Sequence, residues 1–402
     1  MSNRTLIARS FAIAVAAITL ASGLATAARP TRECPIEIAS NKPWVRVSVN
    51  DSAPQWFILD SGAAGGSILA KETADRLGLQ RGAETDAHIG AGDGVNVGIA
   101  TLPDVTLHVA GGSMTIPEMR VFSLAHISPY EGRRLEGLLG EDFFQSHVVE
   151  IDYAKFKMRI IDPTTYTPPA GAIVVPITVD GHAIVEATIQ RAGEAPIPCR
   201  FVVDTGVRST LILYHPFVLR HRLLASKAPM ITATIGGGAG GETKGDLGRL
   251  ATLRIGALEF AKLPVIYSRD TVGVFASEDP DGILGGEILR RYKTTFDYSH
   301  SRMVFEPYPD GQPFEYDMSG LFLTGEGPDY GRVTVLSVAA RTPAAEARLV
   351  KGDEIVSING RAASQLGLDG VRELFRAPAK YRLEVKRGDA KVTVEMKTRR
   401  LV

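Results

Sequence analysis

The stretch Trp56–Leu69 reads WFILDSGAAGGSIL, and Phe201–Leu213 reads FVVDTGVRSTLIL. In each, an apolar run of strand-forming residues stops at an aspartate, turns on a glycine and resumes as a second apolar run. The two aspartates, Asp60 and Asp204, are 144 residues apart. A carboxylate at the end of a strand that reads as buried costs free energy unless something compensates it. One such case is a turn; two in matching surroundings point to a functional pair.

Other landmarks keep the same spacing. Gly137-Leu138-Leu139-Gly140-Glu141-Asp142-Phe143-Phe144 recurs as Gly282-Ile283-Leu284-Gly285-Gly286-Glu287-Ile288-Leu289. Ile151-Asp152-Tyr153 with Met158 recurs as Phe296-Asp297-Tyr298 with Met303. Between them each copy holds a glycine-rich segment, IGAGDG from Ile89 and IGGGAG from Ile235. Four landmarks in one order, at offsets of 144 to 146, define an internal repeat over about 35–165 and 170–308. A proline-rich join, PTTYTPPAGA from Pro163, separates the copies, and EPYPDGQPFEYD from Glu306 sets off a third region. Alternation in Trp44–Val49 and Val105–Val109 reads as strand, and Lys71–Leu79 as a short helix.

The 402 residues suffice for two or three domains, and 45% apolar with 22% charged residues allows a sizeable core. Forty-one glycines and 23 prolines fit a turn-rich, mainly β protein. A formal net charge of zero gives no reason to expect nucleic acid or an anionic membrane as partner. At the start, Arg4 and Arg9 accompany the 14-residue apolar run Phe11–Leu24, and Ala25-Thr26-Ala27 offers a small-x-small cleavage site. Residues 1–27 therefore read as a signal peptide, too short in its apolar part for the roughly 20 residues of a membrane span. The expectation is an exported protein, periplasmic or secreted, with no stable membrane span after cleavage; retention as an anchor is the other reading. Cys34 and Cys199 are the two cysteines. Export permits a disulfide between them and a free buried thiol is the alternative; the spacing does not decide.

The Asp-Ser/Thr-Gly triplets, Asp60-Ser61-Gly62 and Asp204-Thr205-Gly206, with the later Leu138-Leu139-Gly140 and Ile283-Leu284-Gly285, resemble the pattern of the retropepsin-like and pepsin-like aspartic proteases. The resemblance runs from about 40 to 305. It implies a bilobal fold of two pseudo-symmetric β-barrel lobes in one chain, each bringing one aspartate. Two close carboxylates share a proton and so supply both the base that activates water and the acid that protonates the scissile carbonyl. Asp60 and Asp204 are the implied catalytic residues, acting without cofactor or metal. Ser61 and Thr205 would hold the loops by their hydroxyls, and Gly62 and Gly206 would admit the close approach of substrate. The glycine-rich segments, about Ile89–Gly98 with Gly90 and Gly92, and about Ile235–Gly245 with Gly236 and Gly238, would be flaps over the cleft; plain surface hairpins are the alternative. The pepsin-like pattern often has a hydroxyl three positions after each aspartate, where this chain has Ala63 and Val207, with Arg208 following.

Rival chemistries fare worse. Gly236–Gly241 fits G-x-G-x-x-G, but no helix follows it. The eight histidines show no H-E-x-x-H spacing, and no Gly-x-Ser-x-Gly occurs.

From Ser319 the chain resembles a bacterial PDZ domain over about 318–398, most clearly in Thr342–Ala347 and Lys351–Gly360. That resemblance makes this region a small α+β unit. It also makes Gly320-Leu321-Phe322-Leu323 a candidate loop for a peptide C-terminus, beside an edge strand and a helix carrying Leu368, Val371, Leu374 and Phe375. A packing module that only regulates access is the other reading. Together these features give an exported aspartic endopeptidase, monomeric, acting on proteins or peptides that the PDZ domain recruits or gates. The competing reading is a non-catalytic peptide-binding scaffold that keeps the protease fold. Assembly of each copy with a second chain is less economical than one chain with both lobes.

Overall fold

The computed structural model describes residues 30–88, 90, 92, 96–225, 228–238, 241–309 and 313–402. The signal segment read over 1–27 lies outside them. The protein is mainly β, as the alternating apolar pattern requires. Lobe 1 is an eight-stranded sheet running 37–39, 42–49, 55–59, 137–139, 68–70, 112–122, 96–109, 85–88. Lobe 2 repeats that path as 178–179, 183–190, 197–204, 282–285, 211–213, 258–268, 241–255, 231–238. In each, a second pairing (42–49 with 96–109, 183–190 with 241–255) curls the sheet into a barrel. The helix expected over 71–79 is shorter, Lys71–Arg76, because the chain leaves it at Leu77 and turns through Gly78 at φ +68°.

A third, six-stranded sheet takes strands from both copies, in the order 32–35, 157–161, 148–152, 292–297, 302–307, 173–176. Its central seam is antiparallel, with Val149 opposite Phe296 and Ile151 opposite Thr294. Phe144 meets Phe296 at 5.0 Å and Tyr298 at 5.7 Å between ring centres, so the buried aromatic residues of the two lobes form one core. Both thiols are free: Cys34 lies opposite Met158 in this shared sheet, Cys199 opposite Ala187 in lobe 2, and the question left open by the sequence closes without a bridge.

The segment read as a linker over 306–317 is packed down where it is described. Tyr308 Oη donates to Asp152 Oδ1 at 2.9 Å, and Arg291 lies 3.6 Å over the ring of the buried Phe314. Beyond it, strands 321–326, 332–338, 354–358, 380–387 and 390–397 form the PDZ sheet, with 361–362 paired to 354–358 and a helical segment Ala363–Leu374 broken at Gly367. Val371 and Phe375 are wholly buried beneath it. This domain sits against both lobes. Ser40 of lobe 1 donates to Asp369 through its amide and hydroxyl, both at 2.5 Å. Arg376 forks onto Glu287 of lobe 2 at 3.2 and 3.0 Å. Among the described residues no helix is long and apolar enough to cross a membrane.

Candidate active site

Each aspartate stands where its strand has run out. Strand Gln55–Leu59 lies parallel to Gly137–Leu139, whose last carbonyl receives the Asp60 amide at 2.9 Å; strand Ile197–Asp204 lies parallel to Gly282–Gly285 in the same way. The glycines ending the partner strands are required by contact. A Cβ on Gly140 would lie 2.5 Å from the Gly66 carbonyl oxygen, and one on Gly285 would strike the Ser209 carbonyl. The next amides, Glu141 and Gly286, donate to Ala63 and Val207 and close the two loops. These motifs support the loops and touch no reacting group.

The loops meet across the lobe boundary through crossed hydroxyls. Ser61 Oγ donates to the Val203 carbonyl at 2.8 Å and accepts from the Thr205 amide at 3.0 Å. Thr205 Oγ1 donates to the Leu59 carbonyl at 2.6 Å and accepts from the Ser61 amide at 2.9 Å. Ser61 and Thr205 are essentially unexposed, so the four bonds run in a dry environment where they are stronger. Gly62 packs on the Asp204 carboxyl and Gly206 on the Asp60 carboxyl, leaving no room for a Cβ on either. Each also donates its amide to the aspartate of its own loop, at 3.0 and 2.6 Å.

The two carboxyls thus lie side by side, each packed against the glycine of the other's loop. Burial, then the neighbouring Asp60 charge, pushes Asp204 well above the usual carboxylate range. Burial also raises Asp60, opposed by the Lys42 ammonium, the hydrogen bond from Asp204 and the Gly62 and Ala63 amides. Both carboxyls are thus pushed above the usual carboxylate range, Asp204 the more strongly, so the dyad titrates as one coupled unit that favours a shared proton. Neither Ala63 nor Val207 supplies a hydroxyl to it. Arg208 stays exposed, its charge felt by Asp317 at the end of the segment 306–317 and by Arg372 of the PDZ domain.

A cavity of about 740 Å³ surrounds the dyad. Its walls repeat: Ile58, Ile68 and Leu138 on one side, Val202, Ile212 and Ile283 at the equivalent positions on the other. Of the glycine-rich segments expected as flaps, 89, 91, 93–95, 239 and 240 lie outside the described residues; Gly90, Gly236, Gly237 and Gly238 line the cavity, and each segment touches the opposite lobe. The Gly90 carbonyl of flap 1 accepts from the Val274 amide at 3.0 Å, with Gly92 beside it against Gly273. The Gly238 carbonyl of flap 2 lies 3.2 Å from His126 Nε2. Gly236, where the hairpin register slips by a bulge, lines the cavity.

Two cavity residues escaped the sequence reading. Lys42 opens strand 42–49 and His182 directly precedes strand 183–190, each two before the residue (Trp44, Ile184) that faces Ile58 or Val202. Lys42 is only 9% exposed and is held by Glu131 at 2.5 Å. A lysine in an alternating strand reads as solvent-facing, and what covers it comes from 89 residues away. The Gly320–Leu323 loop opens onto the same cavity. Gly320 takes φ +79°, the Leu321 amide donates to Ser319 Oγ at 3.0 Å, Phe322 packs near Ile231 of flap 2, and the Leu323 carbonyl accepts from Arg372 at 2.9 Å.

Comparison with known proteins agrees with this geometry. A family model described as aspartyl protease matches residues 45–143 and again 185–288, and one described as PDZ domain matches 318–398. No curated protein matches the chain.

Proposed function

Since the chain belongs to the aspartyl protease family and ends in a PDZ domain, we propose that it is an exported aspartic endopeptidase whose PDZ domain recruits or gates protein substrates. The observation that carries the reading is the pair of crossed hydroxyl bonds, which holds Asp60 and Asp204 in contact under two flaps. A non-catalytic scaffold has no need of two carboxyls buried together, since that arrangement costs stability. Export is supported by the charged, apolar and small-residue sequence of the first 27 residues.

The chemistry follows from the unequal acidities. A water between the carboxyls gives a proton to Asp60 as its oxygen attacks the scissile carbonyl carbon, while Asp204 passes its proton to the carbonyl oxygen. The resulting gem-diol collapses as Asp60 gives its proton to the amide nitrogen, Asp204 takes one from a gem-diol hydroxyl and the C–N bond breaks. Products are a carboxylic acid and an amine, and the shared proton is restored. The repeated apolar walls favour substrates with apolar side chains on both sides of the scissile bond.

The test is cleavage of a denatured protein by the full chain and by Asp60→Asn and Asp204→Asn. Each substitution is expected to lower kcat by 10²-fold or more, on the order of 10²–10⁴ for one acid–base group, with the fold retained. The double variant should be no worse than the singles, because the two form one unit. Undiminished cleavage by either single variant would sink the proposal.

A further inference from the structure

The short helix Ser128–Glu131 of lobe 1 touches three functional parts at once. Glu131 holds the buried Lys42 beside the dyad. The Tyr130 ring lies against Gly237 of flap 2, where any Cβ would collide with it, one step from the Gly238 contact with His126. On its far side the same segment enters the PDZ groove, between edge strand Leu321–Glu326 and the helical segment Ala363–Leu374. A Cβ on Gly132 would lie 2.6 Å from Leu368 of the helix, and one on Gly325 of the strand would lie 2.9 Å from Gly132 Cα. Arg372 bridges the arrangement, donating to the Tyr130 carbonyl at 3.0 Å and the Leu323 carbonyl at 2.9 Å.

We propose that Tyr130–Gly132 is a resident ligand of the PDZ groove, held in cis, and that the filled groove latches flap 2 over the dyad. The strand edge and helix that line a peptide's path in such a domain are here engaged by the protein's own backbone. Flap 2 is gripped twice. Its base, at Ile231, packs with Met318 and Phe322 of the PDZ domain, and Gly237 rests on the segment that fills the groove. The equivalent seat of flap 1, Gly273–Ala276, is backed by Tyr214 of its own lobe, with Phe275 at 5.6 Å, so the latch acts on one flap. A peptide that enters along Leu321–Glu326 must expel Tyr130–Gly132, and Gly237 of flap 2 loses its support as it does. Because the resident is tethered, its effective concentration is about millimolar, and a displacing peptide has to compete with that.

The latch is tested by hydrogen exchange on the full chain without substrate, a readout independent of proteolysis. The variants are Asp369→Ala, which removes the Ser40 contacts, and Arg372→Ala, which removes the bridge. Expected is a rise of at least about fivefold in exchange over 231–247, with 98–109 of flap 1 unchanged. Ser40→Ala keeps the amide bond to Asp369 and should give a smaller rise in the same segment than Asp369→Ala, and the double variant should add little to Asp369→Ala. If Arg372→Ala does not fold, the Asp369 and Ser40 variants decide. An unchanged flap 2 in folded variants, or an equal rise in both flaps, would overturn the proposal.

Discussion

Asp204 carries a cost that its neighbours leave in place. Burial and Asp60 push its pKa well above the ordinary aspartate value, so the folded protein binds a proton that the unfolded chain releases more readily. The stabilising effect of that proton is complete below the unfolded value and is lost as pH rises through the folded one. Asp204→Asn does not titrate and escapes the loss. Melting temperatures should therefore show the variant gaining on the parent as pH rises above about 4, with the two converging in acid. A difference that stays constant with pH, or grows in acid, would contradict a raised Asp204. Ser61 and Thr205 make this expense bearable by fixing both loops from across the boundary.

At the scale of elements, what the sequence disclosed depended on how local the information was. Asp60-Ser61-Gly62 and Gly137–Gly140 are contiguous motifs whose turn chemistry is written in adjacent residues, and the repeat supplied the pairing. The seat at Ser128–Glu131 is meaningful only through Gly237, Leu368 and Lys42, which are remote in sequence. Nothing local marks it. The packing of the segment 306–317 is hidden from the sequence for a different reason. Proline and glycine report on backbone turns, whereas its anchoring comes from aromatic side chains that composition does not weigh. Phe314→Ala should accordingly cost about 3 kcal/mol, as for a buried phenylalanine, measured by urea unfolding. A cost below about 1 kcal/mol would return the segment to the status of a loose connector.

For the molecule as a whole, the PDZ domain sits on Ser40, Tyr130 and Gly132 of lobe 1 and on Glu287 of lobe 2, so it spans the mouth of the cleft. Burial pushes the Glu287 carboxyl up, but Arg376, Arg290 and Arg291 outweigh it and leave it below the ordinary glutamate range. A chain ending at residue 317 keeps Phe314 and should retain folded lobes. Its kcat/KM on a short peptide should stay within about threefold of the full chain, while cleavage of a folded protein falls at least about tenfold, if recruitment is the domain's contribution. Equal loss on both would assign the domain a supporting role only.

The shared six-stranded sheet also sets a timetable. Strand Val148–Asp152 belongs to the first copy, yet one of its edges pairs with Tyr292–Asp297, near the end of the second. Lobe 1 can complete its barrel while that apolar edge still waits for its neighbour. At roughly 5–20 residues per second, synthesis leaves the edge open for on the order of ten seconds. An unpaired edge of this kind recruits strands from other chains. The molecule is therefore most prone to aggregate when half made, and a chaperone that covers strand edges would serve it best in that interval.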